Sequence, residues 1–198
     1  MRIQIFVLLL IFAHSLSAQT KNMEIATFGN GCFWCTEAIF QELKGVSKAI
    51  SGYMGGEVKN PTYKEVCSGT TGHAEVLQIT YDPSLITFDE LLEVFWKTHD
   101  PTTLNRQGND VGTQYRSAVF YHNEEQKDLA TQYKTKLDTS NAWNDPIVTE
   151  ITEADTFYPA EDYHQEYFSL NGSQPYCNFV IRPKVEKFKK VFKDKLKG

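Results

Sequence analysis

What this chain has little of narrows the field first. Basic residues are outnumbered, 20 against 25 acidic ones, for a formal charge of −5. A dedicated nucleic-acid binder would run basic, so none is expected as a partner. Beyond residue 18 no segment is apolar enough to cross a bilayer, so stable membrane insertion is not expected. The chain has no internal repeat, no low-complexity tract and no Pro/Ser-rich linker, which leaves one domain with one core. Cysteine is scarce: Cys32, Cys35, Cys67 and Cys177 include a single C-x-x-C. A tetrahedral zinc site needs a second pair at a recognisable spacing. Cys67 and His73 could complete four ligands, but nothing in their spacing demands it, and no metal is expected.

The one long apolar run lies at the start. "MRIQIFVLLLIFAHSLSAQ" has one arginine, apolar residues from Ile5 to Ala13, then small residues up to Ala18. That is the anatomy of a secretory signal peptide, with cleavage after Ala18 or one residue earlier. Residues 1–18 are therefore expected to be removed and 19–198 to form a single exported domain, periplasmic or secreted. No cysteine directly follows the run, so a lipid anchor has no attachment point. An even cysteine count in an exported protein suggests structural disulfides, but a domain of about 180 residues has core enough without them. A working dithiol remains open.

Strands and helices mix along the chain. "MEIATFG" reads as a strand ending at Gly29-Asn30-Gly31, with a helix running on through "CTEAIFQELK". "HAEVLQITYD" alternates as a strand, and "TFDELLEVFWKTH" is the clearest helix, with Phe88, Leu91, Leu92, Phe95 and Trp96 on one stripe. Thr87 and Glu90 form a capping box at its start. "QYRSAVFYH" predicts a strand, "NEEQKDLATQYKTKL" a helix opened by Asn123, and "RPKVEKFKKVFKDKLKG" a basic amphipathic helix with a solvated face. Two glycine-rich polar stretches, 51–72 and 100–114, read as long loops carrying function. The order implies an α/β sandwich.

Chemistry concentrates at Cys32. It follows Asn30-Gly31 and opens a helix, where the dipole and free N–H groups favour thiolate. Cys35 lies one turn on, close enough for a disulfide after adjustment, yet it also continues an apolar stripe with Ile39 and Leu43; core packing and redox work both remain open. Glu75 shares a strand face with Leu77, Ile79 and Tyr81. A carboxylate on an apolar face is costly unless paired or protonated, and burial would make it a proton donor near neutral pH. His73 and His164 read as structural or surface histidines rather than ligands, Cys67 as structural, and Asp162, Gln165 and Glu166 as a solvated helical face.

Taken in order, "GCFWCTEAIF", "GYMGG", "NPTYKEVCSGTTGHAEVLQITYDP", "FWKTHDPTTLNRQGNDVGTQYRSAVFY" and "AEDYHQEYF" resemble the peptide methionine sulfoxide reductase A family across residues 23–185. The resemblance implies a two-layer α/β sandwich, a ferredoxin-like plait with long functional loops. It implies that Cys32 is the nucleophile, and that Phe33 and Trp34 surround the substrate's methyl group. Glu75 would protonate the sulfoxide oxygen, Tyr63 and Tyr115 would hydrogen-bond it, and Asp110 would lie near the pocket. The substrate would be methionine (S)-sulfoxide, free or in oxidised proteins and peptides. No cofactor is implied beyond an external dithiol reductant such as thioredoxin, and the family favours a monomer. The chain departs from the family in having Cys35 where glycine is usual, and one tail cysteine, Cys177, on a segment expected to be mobile. Both are candidates to resolve the sulfenic acid, with a slight preference for Cys177. A general dithiol–disulfide oxidoreductase and a metal- or peptide-binding module are the competing readings.

Overall fold

The structure is a computed structural model that describes residues 22–198; the expected signal peptide, residues 1–18, lies outside the described residues. The chain opens with β1 (Glu24–Asn30), α1 (Phe33–Phe40) and β2 (Val46–Met54), continues with α2 (Tyr63–Cys67), β3 (Ala74–Tyr81) and α3 (Phe88–Thr98), and then forms a small hairpin of β4 (Arg106–Gln107) and β5 (Asp110–Val111). A 3₁₀ turn at Thr113–Tyr115 leads into β6 (Ser117–Tyr121), α4 (Glu124–Thr139), β7 (Glu150–Glu153) and β8 (Tyr158–Pro159). After a second 3₁₀ turn at Asp162–His164 come α5 (Tyr167–Leu170), a π-helical turn at Cys177–Ile181 and α6 (Arg182–Val191).

The six strands of the main sheet lie in the order β7-β6-β1-β3-β2-β8. β1 pairs antiparallel with β3 and β6, and β2 pairs antiparallel with β3, so β1–α1–β2 and β3–α3–β6 are interleaved split crossovers. This inner order is the ferredoxin-like plait. β7 extends it parallel to β6, and β8 extends it antiparallel to β2. Central β1 is covered on both faces, hence its run of buried residues instead of an alternation.

The larger core lies between the sheet and the helices. Phe28 of β1 packs against Phe40, Phe88 and Phe95, with centroids 5.6, 5.9 and 5.1 Å away. Each fully buried side chain of this size contributes roughly 2–3 kcal/mol by leaving water. The opposite face carries a smaller cluster of Met54, Ala74, Val76, Ala118 and Phe120, covered by Ala154 and Phe157. α3 begins as expected: Thr87 accepts from the Glu90 amide, and Glu90 accepts from the Thr87 amide. Asn123 caps α4, and Val185 and Phe188 bury the inner face of α6.

The stretch 51–72 differs from expectation. Ser51–Met54 is the end of β2, and Tyr63–Cys67 is a helix with its own Thr62/Glu65 capping box. Gly52 disguises the strand, and it is needed there: a Cβ would come within 2.5 Å of the Phe157 ring and the Tyr158 carbonyl where β8 docks. The first helix stops at Phe40, short of Lys44. No helix among the described residues is long and apolar enough to cross a membrane.

Candidate active site

The turn from β1 into α1 sets the site. Gly31 has φ +95°, and a Cβ there would lie 2.6 Å from Gln107 Cγ, so only glycine lets the β4–β5 hairpin close on this turn. Gln107 is fixed in place by Asp100, whose amide it accepts from and whose carbonyl it donates to. Thr36 reaches back from α1 and donates to Asn30 Oδ1, which holds the turn from the other side. Cys32 then occupies the cap position of α1, but its side chain caps nothing. The exposed amide of Phe33 is taken instead by Glu75 Oε2, at 3.1 Å.

That bond explains how β3 tolerates a carboxyl on its apolar face. Glu75 is 1% exposed and sits opposite Tyr53 of β2, one pleat from Leu77. Burial raises it to about 8 against the Phe33 amide, which pulls the other way. At neutral pH it is therefore a carboxylic acid beside a thiol.

The thiols behave as a pair. Burial raises Cys32 well above the usual thiol range, and Glu75 adds to this. Cys35 is hydrogen-bonded by Cys32, which lowers it to about 7 against its own burial, with help from Lys184. The expectation of a thiolate at Cys32 is thus corrected, because Glu75 occupies the helix-end amide and desolvation wins. Cys35 is the partner that the hydrogen bond between the two thiols holds down. It is also core, 4% exposed, in line with Ile39 and Leu43, so the two roles left open for it coincide in one side chain.

Aromatic rings wall the site. Phe33 is buried beneath Tyr63, Tyr53 and His164, with centroids 6.4, 6.0 and 5.1 Å away. Trp34 is half-buried, lies flat on Tyr167 at 3.6 Å and 6°, and donates from Nε1 to His164 Nδ1. His164 therefore carries its proton on Nε2, facing Glu161 Oε2 at 4.0 Å. Burial lowers its pKa, so the neutral ring is favoured. Glu161 also accepts from the Tyr53 hydroxyl and the Tyr63 amide. Tyr63 and Tyr115 are half-buried phenols whose ionisation is pushed far up by burial and next by Cys67 and Glu75 respectively. Asp110 accepts from the Tyr176 hydroxyl at 2.8 Å, and the same oxygen lies 3.8 Å from Cys35 Sγ.

Residues 24–196 match the family model described as peptide methionine sulfoxide reductase. The chain belongs to the peptide methionine sulfoxide reductase A family. A relative from Leptospira borgpetersenii serovar Hardjo-bovis, described as peptide methionine sulfoxide reductase MsrA, is 55% identical over 177 residues, covering 89% of this chain and 99% of that one. The reduced form of Mxr1 from Saccharomyces cerevisiae superposes with a TM-score of 0.71 at 36% identity, over 79% of this chain and 90% of that one. Mxr1 in complex with Trx2 matches at 0.50 and 27%, over 73% and 84%. The enzyme is therefore an oxidoreductase of the sulfoxide-reducing kind.

The reductase fold brings Cys32, Cys35, Glu75, Phe33, Trp34, Tyr63, Tyr115 and Asp110 to one end of α1. Cys177 departs from expectation: it is fully buried in the π-helical turn that leads into α6, not on a mobile segment. Cys67 is exposed and shares a hydrogen bond with the Tyr63 hydroxyl, so it is not a core residue. Gln165 is not solvated; it bridges the backbone of Ser51 and the carbonyl of Ala160, while Asp162 and Glu166 are exposed as expected. Sequence reading missed Tyr176, Tyr167, Glu161 and Glu37. Glu37, Glu161 and Tyr167 lie inside motifs that carry the resemblance, and Tyr176 neighbours Cys177, but none of the four was given a role. Among the described residues no group of three or more His, Cys, Asp or Glu is placed to hold a metal ion.

Proposed function

We propose that the enzyme reduces methionine (S)-sulfoxide, free or in oxidised proteins, with Cys32 as nucleophile, Glu75 as acid and Cys35 as resolving thiol. The observation that carries this reading is the contact set at the mouth of α1: two thiols joined by a hydrogen bond and a buried carboxyl bonded to the Phe33 amide.

A sulfoxide sulfur becomes electrophilic when its oxygen is protonated. Glu75 gives that proton, and the hydroxyls of Tyr63 and Tyr115 steady the oxygen. The apolar wall of Phe33 and Trp34 takes the methyl group, which fixes the epimer that presents its oxygen to Glu75. Cys32 loses its proton to Cys35 as its sulfur attacks, methionine leaves, and the oxygen stays on Cys32 as sulfenic acid. Cys35 then attacks the Cys32 sulfur; the S–S bond forms, the S–O bond breaks, and water departs. An external dithiol of the thioredoxin kind reduces this disulfide by exchange, a partner consistent with the complex of yeast Mxr1 with Trx2. Cys35 is favoured over Cys177 because it is hydrogen-bonded to Cys32, whereas Cys177 is buried in the π-helical turn and only feels the charge of Cys35. That position suits a later relay.

The test is turnover of the separate S and R epimers of N-acetyl-methionine sulfoxide with dithiothreitol, for the protein and for Cys32→Ser. Turnover of S alone, lost in Cys32→Ser, is expected. Reduction of ordinary protein disulfides without sulfoxide turnover would instead favour a dithiol exchanger.

A further inference from the structure

The resolving step proposed above has a proton problem. Cys35 is 4% exposed, so no bulk water receives its proton when the sulfur attacks Cys32. Hydroxide leaving the Cys32 sulfenic acid needs a proton in the same buried space. The thiol and the leaving group must be joined by something.

One side chain touches both sulfurs. Tyr176 Oη lies 3.8 Å from Cys35 Sγ and also engages the Cys32 thiol. Its hydrogen is directed to Asp110 Oδ2 at 2.8 Å, so its oxygen is free to accept from the Cys35 thiol. The ring is held edge-on to Trp34, with centroids 5.9 Å apart, and the residue begins the turn that runs into α6. Asp110 comes from β5, across the cleft. The phenol is thus clamped from two sides.

Resting on the proposed roles of Cys32 and Cys35, we propose that Tyr176 is the proton relay of disulfide formation and that Asp110 is the positioning residue that holds its hydroxyl between the two sulfurs. As the Cys35 sulfur attacks Cys32, the Cys35 proton passes to Tyr176 Oη. The phenolic proton swings from Asp110 to the departing hydroxide, which leaves as water. One S–S bond forms, one S–O bond breaks, and Tyr176 ends protonated as it began; the oxidant is the oxygen already delivered by the sulfoxide. Burial, then the neighbouring thiols, push the phenol's ionisation far up. A group that never rests as phenolate relays a proton without storing one.

The test is a single turnover of reduced enzyme with N-acetyl-methionine (S)-sulfoxide and no external reductant, in H₂O and D₂O. Methionine release is followed by chromatography, sulfenic acid by dimedone trapping, and the Cys32–Cys35 bond by mass spectrometry. In Tyr176→Phe, methionine should still be released while disulfide formation slows about 100-fold, the scale of a lost acid–base group, and sulfenic acid accumulates. Asp110→Ala should slow the same step about tenfold. The solvent isotope effect on disulfide formation should be present in the wild type and altered in both variants, which a merely structural defect would not produce. Disulfide formation that keeps pace with methionine release in folded Tyr176→Phe, or in Asp110→Ala should the first variant not fold, would overturn the relay. So would a wild-type disulfide that joins Cys32 to Cys177. No methionine from the wild type would instead sink the proposed sulfoxide chemistry itself.

Discussion

Replacing Glu75 with glutamine separates proton donation from shape. The amide still offers an oxygen to the Phe33 N–H, at the 3.1 Å position the carboxyl now fills, and is nearly isosteric. It cannot give up a proton. With its carboxyl raised to about 8, the wild type is about 90% in its acid form at pH 7 and about 10% at pH 9. Single-turnover methionine release should therefore fall about tenfold per pH unit above 8. Loss of a general acid costs about 10²–10⁴-fold, or roughly 3–5 kcal/mol of barrier, and the residual rate of Glu75→Gln should lack this alkaline fall. Stability must move the other way. A carboxyl whose folded pKa is raised favours folding relative to higher pH only while protonated, and this is lost as pH rises from 4.5 through 8. Each pH unit in that window is worth about 1.4 kcal/mol, so above pH 8 the variant should exceed the wild type by up to roughly 5 kcal/mol in urea unfolding. A variant within tenfold of wild-type rate, or one that keeps the alkaline fall, would refute Glu75 as the acid. Equal stabilities at pH 9 would refute its buried protonation.

Cys35→Ser should still release one methionine per enzyme, but thioredoxin-supported turnover should fall about 100-fold with dimedone-reactive Cys32 accumulating; wild-type turnover would return the resolving role to Cys177. Gly31→Ala should cost about 1–3 kcal/mol in urea unfolding, since φ +95° is strained for alanine and its Cβ meets Gln107; an unchanged midpoint would contradict this. Tyr167→Ala removes the ring stacked on Trp34 at 3.6 Å and should lower kcat/KM for the sulfoxide up to about tenfold, and no change would free Trp34 from that support. Burial raises Glu37 to about 7, against the backbone N–H groups of Glu166 and Tyr167. The wild type should therefore lose stability between pH 5 and 8 relative to Glu37→Gln, as read by urea midpoints at the two pH values.

The split plait was legible where local chemistry speaks for itself. The Thr87/Glu90 box fixed the start of α3 in sequence and structure alike, and the period-two face of Glu75, Leu77, Ile79 and Tyr81 points to the large core. β2 was not read as a strand, because Gly52 and the following Gly55-Gly56 read as loop; the reason for Gly52 is Phe157, a hundred residues away. The residues proposed to react stand out in the sequence because the family's motifs are contiguous around Cys32, Tyr63, Glu75 and Asp110. Their supports do not. Glu37, Glu161, Tyr167 and Tyr176 act through partners far away in the chain, 66 positions for Tyr176 and Asp110 and 141 for Tyr176 and Cys35, and no local pattern marks a buried glutamate as the holder of a remote loop. The ionisation of Cys32 was misjudged for the same reason: the helix-end amide that would favour thiolate is filled from β3.

The most direct measurement is a single turnover of the fully reduced protein with methionine (S)-sulfoxide, followed by peptide mapping. One methionine per enzyme, with the new disulfide joining Cys32 to Cys35, is predicted. Folded, reduced protein that releases no methionine, or that releases it with none of its cysteines oxidised, would contradict the chemistry assigned to this site.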